Sequence, residues 1–151
     1  MVELLVVIAI IGTLATLLLL QLGVARAKAR DAKRIADINQ LRSAIELYFD
    51  DNNGSYPDDI TIGNLQDYLS APSVPTDPLT GNGYFYAIDP PTSPVRFHLY
   101  AELEGSNNGL RGDSDINSTG WVGDPRDASL AATEACASDT EIDCVYDTGQ
   151  Q

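Results

Sequence analysis

Residues 4–25 read LLVVIAIIGTLATLLLLQLGVA, 22 positions without a charge. About 20 apolar residues suffice for a helix to cross a bilayer. A cleaved secretory signal has a basic start, a shorter apolar core and a small-residue cleavage site. No basic residue precedes this run, so the sequence predicts a retained apolar helix. The run sets the reading of the segments on either side of it.

On its N-terminal side stands Glu3. A carboxylate at the edge of hydrocarbon costs a few kcal/mol, and intramembrane acids are usually partnered. The sequence offers Glu3 no obvious partner in its own chain. It either rests at the membrane surface or meets a group on another copy.

On the C-terminal side the apolar pattern changes but does not stop. Ile35, Ile38, Leu41, Ile45 and Tyr48 recur at steps of three and four, the period of one helix face. Small residues Ala25, Ala29, Ala32 and Ala36 run at the same spacing. Lys33–Asp37 and Arg42–Glu46 have the spacing of helix-surface ion pairs. No proline precedes Pro57. One helix from Glu3 to Asp51 is therefore expected, on the order of 70 Å long. It ends in the turn-forming run DDNNGSYP. Gly12 and Gly23 are its weak points, at about 1 kcal/mol each against alanine, and local unwinding is expected between them if anywhere. The chain divides into an apolar helix (1–25), the amphipathic half of the same helix (26–53) and a head (54–151).

Charge divides the chain in the same way. Of nine Lys and Arg, six lie in residues 1–42, with three acids. The remainder holds three basic and nineteen acidic residues. Such a head repels nucleic acid and attracts cations. The basic cluster at residues 26–34 would be held on the cytoplasmic side by the positive-inside tendency, whereas the acidic, loop-rich remainder reads as exported. Removal of basic residues preceding Met1 would reconcile the two.

These residues carry a resemblance. MVELLVVIAIIGTLA is similar to the mature N-terminus of type IV pilins and type II secretion pseudopilins. In that family a prepilin peptidase cleaves a basic leader, the new terminus is a methylated phenylalanine, and a glutamate follows shortly after. Glu3 stands at the glutamate's place, and the resemblance gives it the role of neutralising a neighbouring subunit's amino terminus. RAKARDAKRIADINQLRSAIELYFDDNNGSYP and VPTDPLTGNGYFY resemble the second half of the long helix and the segment before the first strand in the major pseudopilin, including Tyr56-Pro57. The midway proline of the family is absent, with Leu20 near its position. The resemblance covers roughly residues 1–100. It implies a homopolymeric helical filament at the cell surface, assembled from the cytoplasmic membrane by an inner-membrane platform.

The head reads as α+β: a small antiparallel sheet packed on the C-terminal half of the helix, then a loop-rich C-terminal region. GYFYAI (83–88) and VRFHLYAEL (95–103) are expected strands, with a helical turn over 65–69. The second strand alternates, with Val95, Phe97, Leu99, Ala101 and Leu103 on one face. DSDINSTGWVGD (113–124) places Asp113, Asp115, Asn117, Thr119 and Asp124 at positions 1, 3, 5, 7 and 12, the ligand spacing of a calcium loop. Ser118 replaces the usual glycine. The resemblance to the calcium-binding major pseudopilin favours an ion; a solvated acidic loop is the alternative. Asn53-Gly54-Ser55 and Asn117-Ser118-Thr119 match the glycosylation acceptor pattern, and a glycan on Asn117 would exclude calcium ligation by that side chain. Seven residues separate Cys136 and Cys144. A disulfide there would contribute about 2–3 kcal/mol; two free thiols are the alternative. No nucleophile elbow, phosphate loop or metal-hydrolase motif is present, and the single histidine, His98, falls inside a strand pattern. The reading is therefore a structural subunit rather than an enzyme, with a membrane-tethered monomeric binding domain as the competing class.

Overall fold

A computed structural model describes residues 2–105, 108–129 and 144–151 of the chain. Helix α1 runs unbroken from Val2 to Asp51, about 75 Å at 1.5 Å per residue. It passes Gly12 and Gly23 without interruption, so the two glycines lower local stability without breaking the rod. The end is made by the predicted turn. Asn53 and Gly54 adopt positive φ (57° and 77°), and Gly54 N–H reaches back to Phe49 O at 3.0 Å. This left-handed cap satisfies a terminal carbonyl of the helix.

A one-turn helix α2 (Ile62–Leu65) precedes strands β1 (Phe85–Asp89), β2 (Arg96–Glu102), β3 (Val122–Gly123) and β4 (Val145–Gln150). A 3-10 turn spans Asn108–Gly112. The sheet is antiparallel with order β3-β1-β2-β4. The fold is α+β, as expected. The helical turn begins earlier than the 65–69 expected. β4 is an addition: VYDTGQ is too polar to signal a strand, yet it pairs with β2 from Phe97 to Glu102.

The core lies between α1 and one face of the sheet. Ile38, Leu41, Ala44 and Ile45 pack with Tyr86, Ile88, Phe97, Leu99 and Ala101. Each fully buried aliphatic or aromatic side chain here contributes about 1.5–3 kcal/mol. Phe97, Leu99 and Ala101 face the helix, as the alternation predicts. The opposite face is not left to solvent: β2 is buried on both sides. Tyr100 packs there with Ala128 and Val145. The segment after the 3-10 turn crosses this outer face, giving three layers of helix, sheet and loop.

Polar contacts fasten the head to the helix. Arg34 is buried on α1 and bonds to Asp31 (2.7 Å), Asp77 (2.5 Å) and Glu104 (2.8 Å). Arg30 adds two further bonds to Glu104. Asp77 also caps its own turn, accepting from the N–H groups of Leu79 and Thr80. Burial works against the Asp77 carboxylate, but Arg34 and those two amides outweigh it and hold its pKa well below the ordinary value. Burial likewise opposes charge on Arg34, and its three acidic partners raise its pKa above the ordinary arginine value. Of the two expected helix-surface pairs, Lys33–Asp37 forms at 2.6 Å. Arg42–Glu46 does not form; Glu46 accepts from the Tyr56 hydroxyl at 3.3 Å.

Candidate functional site

Two regions hold the residues singled out from the sequence. The first is the N-terminal half of α1. This helix is long and apolar enough to cross a membrane, and none of its most apolar stretch is buried by the chain. Leu4, Leu5, Ile8, Ile11, Leu14, Leu18 and Leu22 are all exposed. The two hydroxyls in the stretch are turned inward onto the backbone: Thr13 Oγ1 donates to Ile10 O (2.8 Å) and Thr16 Oγ1 to Gly12 O (2.6 Å). The surface is thus almost wholly hydrocarbon, as lipid or a packed helix bundle requires. Glu3 sits exposed in the first turn, where the helix dipole favours an acid. No ion pair to Glu3 occurs among the described residues.

The second region is the loop on the outer face of the sheet. Its organiser is Asp147 on β4, which the sequence did not single out. The Asp147 carboxylate accepts three backbone N–H bonds, from Ser114 (3.1 Å), Asp115 (3.0 Å) and Ile116 (2.8 Å). His98 Nε2 lies 3.1 Å from Asp147 Oδ2, out of line for a hydrogen bond. Its Nδ1 lies 2.7 Å from Ser118 Oγ. Ser118 Oγ also donates to Arg126 O and accepts from Arg126 N. Serine, histidine and aspartate meet here, but all three are buried to 1% exposure or less. Bound to Arg126 on both sides, the Ser118 hydroxyl ties the loop to itself and, through His98, to β2, and presents no accessible nucleophile.

Asp113 and Asp124, the first and last of the five loop residues at calcium spacing, do not come together. Asp113 lies by β4, where its carboxylate accepts from Asp147 N at 3.3 Å. Burial, then Asp147 and Asp115 nearby, push its carboxyl up to about 7. Asn117 closes a turn by accepting from Thr119 N–H at 3.0 Å, and its backbone bridges to Asp127. Asp124 follows β3 and donates its N–H to Tyr86 O on β1 at 2.9 Å. Asp113 and Asp124 are thus at opposite edges of a four-stranded sheet, about 14 Å apart at ordinary strand spacing. No group of three or more His, Cys, Asp or Glu side chains among the described residues is placed to hold a metal ion. Both acceptor-pattern asparagines, Asn53 and Asn117, are exposed. Cys144 is disulfide-bonded; Cys136 lies outside the described residues.

Comparison with family models, curated proteins and solved structures finds no match to this chain.

Proposed function

We propose that this chain is a structural subunit of an extracellular filament of the type IV pilus kind, held in the cytoplasmic membrane before assembly. One observation carries the proposal. A single rigid helix presents an uncovered hydrocarbon surface along its first half, begins with an acid that has no ion pair among the described residues, and is fixed to a folded head along its second half. In the membrane, lipid covers that surface. Outside the membrane it is stable only when many copies bury it against one another. Glu3 then has the partner that no described residue of its own chain supplies, the positive amino terminus of an adjacent copy. Within this proposal a prepilin peptidase and an inner-membrane platform are the processing and assembly partners.

The test is shearing of cells that express the full chain. Filaments composed of this chain are expected from the wild type, with none from Glu3→Ala at equal membrane levels. Monomers alone in detergent extracts, with Glu3→Ala silent, would reject the filament and leave a membrane-tethered binding domain. A subunit of a type II secretion pseudopilus obeys the same physics. Loss of protein export in the deletion strain, with no long surface filaments, identifies that variant of the reading.

A further inference from the structure

The second half of α1 is a charged rod whose two ends do not meet within the chain. Among the described side chains, the cations without an ion pair are Arg26, Lys28 and Arg42. All three are exposed on α1. Arg26 and Lys28 form a collar just beyond the apolar stretch. At the other end the last turn has no basic residue. There Asp50 and Asp51 add to the negative end of the helix dipole, with exposed Asp58 and Asp67 close by in sequence and likewise without a cation. This acidic end repels itself, and no cation among the described side chains pairs with it.

Geometry says what does. Lys28 and Asp51 are 23 positions apart, about 35 Å along the helix. At 100° per residue they point to sides of the rod about 140° apart. Opposite charges on nearly opposite sides, displaced along the axis, suit a head-to-tail contact between parallel copies. Such a contact does not close on itself and so propagates. Between the charged ends the exposed face is lined by Ala29, Ala32 and Ala36, small enough to admit a close neighbour.

We propose that the cationic collar of one copy docks against the acidic helix end of a second copy displaced by about 35 Å, and that this contact sets the stagger of the polymer. The inference rests on the filament reading above. Parallel helices are required by that reading, since every apolar half starts in the same membrane. Anionic lipid headgroups are the other chemistry that fits a collar, but they leave the acidic end unmatched.

The experiment is cysteine cross-linking in filaments of the full chain carrying Lys28→Cys and Asp51→Cys together. Within one chain these positions are far beyond the roughly 7 Å that a disulfide spans, so any bond is between copies. Mild oxidation is expected to give a ladder of covalent multimers on a non-reducing gel, absent from either single variant. A second arm uses Lys28→Glu, expected to cut filament yield several-fold and to be rescued by Asp51→Lys. Filaments that form without a ladder, with no rescue, overturn the docking and leave the filament reading standing. Lys28→Glu that leaves filament yield unchanged, yet releases the chain from anionic but not neutral vesicles, overturns it in favour of lipid. No filaments from any variant or from the wild type overturns both.

Discussion

Arg34 and Asp77, 43 positions apart in sequence, share a 2.5 Å hydrogen bond in which both side chains are largely withdrawn from water. The bond joins the long helix to the loop that precedes the sheet. Asp31 and Glu104 complete the set around the same guanidinium. The head is therefore locked to the rod electrostatically as well as through the apolar core, close to where the bare half of the helix begins.

Replacing Arg34 by Met leaves three acids partly buried around an uncharged side chain. Breaking such a pair from one side costs about 3–5 kcal/mol. A melting temperature lower by on the order of 10 °C is expected for the full chain in detergent. The pH dependence follows from the direction of the shifts. Asp77 and Glu104 titrate below their ordinary values in the folded protein. Their contribution is complete above the unfolded carboxylate range, about pH 4, and is lost as pH falls through the lower folded values. Arg34→Met should flatten that acid limb. An unchanged melting temperature at pH 7 would show that the lock contributes nothing.

Asp147→Asn tests the nest on the outer face. The amide nitrogen cannot accept: in place of Oδ2 it leaves Ile116 N–H without its partner, and in place of Oδ1 it leaves both Ser114 and Asp115 N–H without theirs. Leaving a buried donor unsatisfied costs about 1–3 kcal/mol. Hydrogen exchange should accelerate at Ser114, Asp115 and Ile116 well before it does in β1. Uniform acceleration across the sheet would instead mean that Asp147 supports the whole head.

Helix α1 was legible because its signals are local: an uncharged run, then a three-four apolar step, then a turn-forming end. The alternation in β2 was legible for the same reason. Arg34 was not, because its partners at 77 and 104 come together only once the sheet has docked, and an arginine on a helix reads as surface. β4 was missed because Asp147 and Thr148 are buried polar residues, so VYDTGQ has no apolar alternation. The spacing of oxygens at 113–124 allows either a calcium loop or a solvated acidic loop; in the fold its two ends, Asp113 and Asp124, lie at opposite edges of the sheet. Spacing along a chain predicts convergence only where the backbone curls.

Gly149→Ala should loosen the outer layer. A methyl at this position would overlap Phe97 O and sit 2.8 Å from Ile116 Cδ1. Either β4 moves away from β2 or Ile116 leaves its place beneath the loop. Overpacking of this kind costs about 1–3 kcal/mol. The paired variant Gly149→Ala with Ile116→Val relieves the Ile116 part alone. Recovery of part of the lost stability in a denaturant titration is the expected result. No recovery would assign the whole cost to Phe97 O.

Asp113 carries the last prediction. Burial beside Asp147 and Asp115 lifts its carboxyl to about 7 in the folded protein, against about 3.9 when unfolded. The folded state therefore binds a proton that the unfolded state releases. The stability from this group is fully present below about pH 4 and is lost as pH rises through 7. At pH 8 the ionised carboxylate sits against its neighbours at a cost, so Asp113→Asn is expected to raise the melting temperature by a few degrees. At pH 4 the same substitution should be close to silent. Calcium supplies a further readout, because a bound cation relieves the repulsion just as a proton does. Stabilisation of the wild type by calcium at pH 8, reversed by EDTA and absent in Asp113→Asn, would place an ion beside Asp113. No response to either reagent, with the pH 8 gain in Asp113→Asn intact, would make the loop a solvated acidic surface. A destabilised Asp113→Asn at pH 8 without calcium would contradict the repulsion itself.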